Sequence, residues 1–210
     1  MNKIRAVIFD LDGVLIDAKE WHYEALNRAL GLFGMEISRY DHLITYDGLP
    51  TKKKLEMLTL ERGLPVELHD FINRLKQRYT MEIISTRCHP KFVHQLALSR
   101  LQQKGYQLAV CSNSVRESVE IMLRRADLLR FVQFFVSNQD VSVPKPDPEI
   151  YLKAFQKLEL SPKQCLILED NEHGLRAALG SGAHVLQVGH VAEVNYSNIK
   201  KRIEEIESEL

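Results

Sequence analysis

Asp10 and Asp12 flank Leu11 immediately before Gly13, and a second acidic pair, Glu169-Asp170, stands far down the chain. Between them lie Ser112-Asn113 and the run Lys145-Pro146-Asp147-Pro148. Carboxylates are hard oxygen donors, and four of them gathered in one place stay ionised only with a cation among them, so the set suits Mg²⁺ and not a soft metal. A metal there draws in a phosphate. Lys145 can neutralise both Asp10 and a transferring phosphoryl group, while Ser112 and the Asn113 amide can donate to its oxygens. The chemistry these parts suit is phosphoryl transfer. An aspartate that accepts the phosphoryl group splits a hard hydrolysis into two easier displacements through an aspartyl-phosphate. Asp10 is the candidate nucleophile. Asp12 can protonate the leaving oxygen and later take a proton from the attacking water. Gly13 lets the loop turn tightly enough to aim both.

Each signal alone has a plain reading: Asp-x-Asp as a turn, Ser-Asn as a helix cap, Lys-Pro-Asp-Pro as the turn that opens a helix, Glu-Asp as an acidic helix start. Their positions argue otherwise. Ile4 to Phe9 is a short β-rich run that ends abruptly at Asp10. Residues 106–111, 131–137, 164–168 and 183–188 read as further strands, each followed by a polar loop. Between them, 90–103 and 148–158 have helical spacing. Strands alternating with helices predict an α/β fold, a doubly wound, Rossmann-like parallel sheet with helices on both faces. Such a sheet binds ligands at the carboxyl ends of its strands, which is where the four signals fall.

Residues 18–88 break the alternation. Segments 20–33, 51–62 and 66–80 look helical with no β-rich run between them, and Gly48-Leu49-Pro50 and Gly63-Leu64-Pro65 punctuate them. The expected organisation is a core of 1–17 and 89–210 with a helical unit of 18–88 inserted after the first strand. Near the C-terminus Ile199, Ile203, Ile206 and Leu210 recur at helical intervals and predict an amphipathic helix docked on the core.

Composition bounds the function. Lys and Arg number 28 and Asp and Glu number 28, so no overall field draws the chain to nucleic acid or an anionic membrane. The apolar stretch at 6–9 is too short for a signal segment or a membrane span. Cys88, Cys111 and Cys165 are widely spaced, without a Cys-x-x-Cys pair, and read as reduced core residues. The expectation is a cytoplasmic monomer with a small-molecule phosphate ester as its partner.

Asp10-Leu11-Asp12-Gly13-Val14, Ser112-Asn113, Lys145-Pro146-Asp147-Pro148 and Glu169-Asp170 resemble the four motifs of the haloacid dehalogenase superfamily of phosphatases. The resemblance runs over nearly the whole chain, and the insertion after the first motif is similar to the small cap of the β-phosphoglucomutase and phosphoglycolate phosphatase branch. It implies that Asp10 is the nucleophile, Asp12 the acid and base, and Ser112 and Lys145 phosphate binders. It further implies Mg²⁺ held by Asp10, the Asp12 carbonyl and Asp170, with Glu169 acting at the metal directly or through water.

By the same resemblance the cap closes over the core and presents side chains to the leaving group. Asp17, His22, Tyr46 and Lys52 to Lys54 are the candidates, with His22 and Lys52 foremost. Two departures matter. Ala18 stands where many relatives carry a hydroxyl, so a hydrogen bond that could position Asp12 is expected to be absent. Thr51 follows Gly48 where the mutase cap offers an arginine for a second phosphate. Both favour a simple phosphatase of a small monoester such as a sugar phosphate over a phosphosugar mutase. A non-enzymatic phospho-acceptor or binding domain is the remote alternative, since receiver domains place their acceptor aspartate after a middle strand.

Overall fold

The structure, a computed structural model, describes residues 3–209. Five parallel strands, β1 (Ala6–Phe9), β2 (Gln107–Cys111), β3 (Phe134–Val136), β4 (Cys165–Glu169) and β5 (His184–Gln187), lie in the order β3-β2-β1-β4-β5. All four pairings are parallel, and β1, buried along its whole length, is central. The strand order reverses at β1, which makes its carboxyl end the switch point where open α/β sheets take ligands. Phe9 pairs with Val110 on one side and Leu168 on the other, so the next residue, Asp10, stands level with Cys111 and Glu169.

The apolar strand runs are explained by helices on both faces. Ala6, Ile8, Ala109, Cys111, Cys165 and Ile167 pack against α7 (Glu149–Leu158) and α8 (Glu172–Gly180) through Ile150, Tyr151, Ala154, Ala177 and Ala178. On the opposite side α5 (Phe92–Gln103) packs on β2 and on α9 (Tyr196–Ser208), while α6 (Arg116–Arg125) links β2 to β3. The expected strand at 131–137 begins late because residues 129–131 form a 3-10 turn, leaving three paired residues.

By compactness the chain divides into residues up to Asp17 with those from His89 onward, and a second unit Ala18–Cys88. The second unit is helical: α1 (Lys19–Gly31), α2 (Arg39–Asp41) running into a π-helical turn (His42–Tyr46), α3 (Thr51–Arg62) and α4 (His69–Arg87). Leu26, Leu30, Ile37, Tyr46, Leu55, Leu58 and Ile72 form its own core. Sequence periodicity missed the segment 39–46, whose apolar Leu43 and Ile44 are exposed, and stopped α4 seven residues short of Arg87. All three cysteines are buried free thiols, and burial pushes Cys165 up to about 12. Among the described residues no helix is long and apolar enough to cross a membrane.

Helix α9 docks as its spacing predicts, burying Ile199, Ile203 and Ile206, while Leu210 lies outside the described residues. Replacing Ile203 by Ala should lower the unfolding free energy by about 2–5 kcal/mol in a denaturant titration, the range for truncating a packed aliphatic side chain. An unchanged midpoint would mean that the helix is not part of the core.

Candidate active site

Asp10 leaves β1 with its N–H donated to the Leu168 carbonyl at 3.0 Å, so its position is set by the sheet itself. The chain then reverses through residues 11–16, where the N–H groups of Leu15 and Ile16 both reach the Leu11 carbonyl. Gly13 sits at φ +94°, in the left-handed region that a side chain disfavours, which is why the turn carries glycine there. Asp10 and Asp12 emerge at the carboxyl edge of the sheet.

Lys145 reaches this edge from the loop before α7 and is 3% exposed. Its ammonium donates to Asp10 Oδ1 at 2.6 Å, Glu169 Oε1 at 2.6 Å and the Cys111 carbonyl at 2.8 Å, filling all three donors. Burial opposes its charge, but Asp10 and Glu169 more than offset that and hold it above the usual lysine range. Asn113 fixes the lysine's backbone, its carboxamide accepting from the Lys145 N–H at 3.0 Å and donating to the Lys145 carbonyl at 3.2 Å. The Asn113 side chain therefore acts as a staple between two loops.

Glu169 is fully buried and accepts a hydrogen bond from the Tyr151 hydroxyl as well as from Lys145. The Tyr151 ring lies under the lysine, with Nζ 5.0 Å from its centroid, so this one side chain touches both partners. Tyr151 falls within the helical run 148–158, and the sequence alone assigns it no role. Glu169 lies against Gly174 in the first turn of α8, where a Cβ would come within 2.0 Å of its Oε2. The positive end of that helix suits the carboxylate. Asn171 caps α8 by accepting from Gly174 N–H at 2.9 Å and donates to Asp170 Oδ1 at 3.0 Å.

One carboxylate oxygen from each of Asp10, Glu169 and Asp170 lies within 4.8 Å of the others. Burial pushes the Asp10 carboxyl well up; Lys145 opposes the shift, and Glu169, Asp170 and Asp12 reinforce it. Glu169 Oε2 is buried without a hydrogen-bond partner. A crowd of hard oxygens with more negative charge than one lysine can balance fits a divalent cation, and the acidic triad could hold one.

Ser112 follows β2, buried, with its N–H donated to the Val136 carbonyl at 3.0 Å. Its hydroxyl is 3.4 Å from Asp12 Oδ2, and that same oxygen accepts from the Ser114 hydroxyl at 2.7 Å. Asp12 thus has a hydroxyl partner although position 18 is alanine, a correction to the expectation drawn from Ala18. The Ser112-x-Ser114 spacing after β2 was the signal in the sequence.

The sheet edge accordingly brings together Asp10, Asp12, Ser112, Asn113, Lys145, Glu169 and Asp170. His22 and Lys52 belong to the inserted unit. There His22 Nδ1 is 3.2 Å from Lys76 Nζ, and Lys52 is exposed on α3. The lysines of that helix do not form one solvated face: Lys53 pairs with Glu56 at 3.1 Å and Lys54 is buried. Tyr46 is buried and donates to Glu61 at 2.7 Å, its hydroxyl held up to about 12 by burial and by that partner. His42, buried against the Tyr23 ring, is held down to about 4 by burial and by Lys54, hence neutral. Asp17 is exposed.

The profile of the haloacid dehalogenase-like hydrolases matches residues 7–188. The chain belongs to this family. This haloacid dehalogenase-like hydrolase is 28% identical over 220 residues to a phosphorylated carbohydrates phosphatase of Thermotoga maritima, covering 97% of this chain and 100% of that protein. It is 28% identical over 190 residues to the pyrophosphatase PpaX of Bacillus velezensis, covering 86% of this chain and 81% of the relative. Its fold is similar to the crystal structure of a β-phosphoglucomutase from Clostridium difficile, with a TM-score of 0.84 at 20% identity over 98% of this chain and 99% of that one. The hydrolase is therefore an enzyme of a family whose curated relatives include phosphatases, and the expected α/β core with a helical insert after β1 is the fold observed.

Two substitutions test the construction of the edge. Lys145→Ala leaves Asp10 and Glu169 buried without their counter-ion and should cost about 3–5 kcal/mol of stability in the presence of a chelator. Gly174→Ala drives a methyl group into a carboxylate that Lys145 and Tyr151 hold in place, and should lower both the unfolding temperature and turnover; wild-type values for both would show that Glu169 is free to move.

Proposed function

We propose that this hydrolase is an Mg²⁺-dependent phosphatase that cleaves a small phosphomonoester, a sugar phosphate being the favoured class, through an aspartyl-phosphate on Asp10. The observation that carries this reading is the Lys145 ammonium bridging Asp10 and Glu169 beside the buried Ser112 hydroxyl, at the switch point of the sheet. The sugar-phosphate class rests on the Thermotoga maritima relative.

Asp10 attacks phosphorus from a fixed position, because its backbone is bonded to β4 and one carboxylate oxygen to Lys145. The other oxygen is the nucleophile. As the phosphorus–ester bond breaks, the Asp12 carboxyl gives its proton to the departing oxygen. In the second displacement water attacks the acyl phosphate, Asp12 takes the water's proton, and Asp10 is released as carboxylate. Lys145, the Ser112 hydroxyl and the Asn113 backbone amide bind the phosphoryl oxygens and stabilise charge in both steps. Asp10, Asp170 and the Asp12 carbonyl would hold Mg²⁺, with Glu169 at the metal directly or through water. Bound there, the ion supplies positive charge that neutralises the carboxylates and polarises the phosphoryl group. In the inserted unit His22 and Lys52 are the candidates for contacts to the rest of the substrate.

Phosphate release should be followed from a panel of sugar phosphates, phosphoglycolate, nucleotides, pyrophosphate and an aryl phosphate, with Mg²⁺ and with EDTA. The expected result is metal-dependent release concentrated on one class of monoester. Asp10→Asn should reduce turnover by at least about 10³-fold while the protein stays folded in EDTA, because Glu169 and the Cys111 carbonyl still hold the Lys145 ammonium. Undiminished turnover by that variant would overturn the nucleophile assignment, and isomerised hexose phosphate in place of free phosphate would show a mutase.

A further inference from the structure

A general acid works only if its carboxyl is aimed at the leaving oxygen, and Asp12 sits in a loop, where aim needs an outside partner. Position 18 supplies none, being a methyl group. Two hydroxyls from the loop after β2 reach Asp12 Oδ2: Ser114 at 2.7 Å and Ser112 at 3.4 Å. They are not equivalent. Ser112 also accepts the Ser114 N–H at 3.0 Å, and a hydroxyl has a single proton to give. A phosphoryl group bound at Ser112 takes that proton, which leaves Ser114 to hold Asp12.

Ser114 is itself well anchored. Its carbonyl accepts the Asn138 N–H at 3.3 Å, and two residues on, the Arg116 N–H donates to the Gln139 side chain at 2.9 Å. The loop after β2 is thus pinned to the 3-10 turn after β3, and the Ser114 hydroxyl is presented to Asp12 from a fixed backbone.

We propose that Ser114 is the positioning residue for Asp12, supplying from the β2 loop the hydroxyl that Ala18 lacks. By donating to Oδ2 it reserves that oxygen as an acceptor and leaves the other to carry the transferable proton toward the ester oxygen. In the first step the ester oxygen–phosphorus bond breaks, the bond from Asp10 to phosphorus forms, and the proton passes from Asp12 to the departing oxygen. The Ser114 bond is kept throughout. This inference rests on the reading of Asp12 as acid and base, so its test must separate the two.

The measurement is kcat/KM over a series of substituted phenyl phosphates, from phenyl to p-nitrophenyl, which reports the first displacement. Nitrophenolate departs without a proton, whereas phenolate needs one. Asp12→Asn should raise the ratio of p-nitrophenyl to phenyl kcat/KM steeply, which establishes the acid. Ser114→Ala should raise the same ratio about 10-fold through loss of aim, with KM for p-nitrophenyl phosphate unchanged and the unfolding temperature kept. Ser114→Thr, which keeps the hydroxyl, should return the ratio toward that of the wild type. An equal loss on all esters in Ser114→Ala would make Ser114 a phosphate contact or a scaffold residue and overturn the inference, as would no loss at all. A flat ratio in Asp12→Asn would overturn the acid assignment and this inference with it.

Discussion

Lys145 carries a full positive charge into a place almost closed to water, and it can do so because its three N–H bonds end on Asp10, Glu169 and the Cys111 carbonyl. Placing an ammonium in such surroundings costs several kcal/mol unless its partners are charged and well placed. The dependence runs both ways. Glu169 is fully buried and Asp10 nearly so, and neither could remain as a carboxylate there without the lysine. The neighbouring architecture keeps the three together. Asn113 ties the lysine backbone to the loop after β2, and Tyr151 lies under the ammonium while bonding the glutamate.

The sheet explains why this hub can be so exact in position. Parallel pairing sets Asp10, Cys111 and Glu169 at one level on three adjacent strands, so their separations follow from strand spacing and not from flexible loops. Loops then add what chemistry requires on top of that level: Asp12 through the turn at Gly13, Ser112 and Ser114 after β2, and Asp170 beside the cap of α8. One lysine cannot balance four acids, and the residual negative charge is what fits the edge for a divalent cation. The same excess would repel a phosphate dianion, so metal and phosphate affinity at this edge should be coupled.

The sheet, the position of the insertion and the acidic edge were legible in the sequence because each is written in types and spacing: apolar runs cut short by charge, and carboxylates, lysine and serine at the ends of those runs. What stayed hidden depended on a side chain's direction. Tyr151 obeys the apolar spacing of α7, and nothing local shows that its hydroxyl turns to Glu169 instead of solvent. Ser114 looks like one more polar residue before a helix, and its bond to Asp12 joins residues a hundred positions apart. Lys54 continues a run of three lysines that the sequence does not tell apart, yet the packing of α3 buries it while Lys52 and Lys53 stay at the surface. The segment 39–46 failed for the opposite reason, since it exposes apolar residues and so breaks the rule by which amphipathic helices are read.

The central claim, that the carboxylate held by Lys145 becomes an acyl phosphate, is tested most directly by trapping it. Enzyme turning over its preferred ester is quenched in acid and treated with borohydride, which reduces an acyl phosphate on aspartate to homoserine, and the peptides are sequenced by mass spectrometry. The account predicts homoserine at position 10 and aspartate at position 12. Reduction of another acidic side chain to its alcohol, or sustained phosphate release with intact aspartate at position 10 throughout, would contradict it.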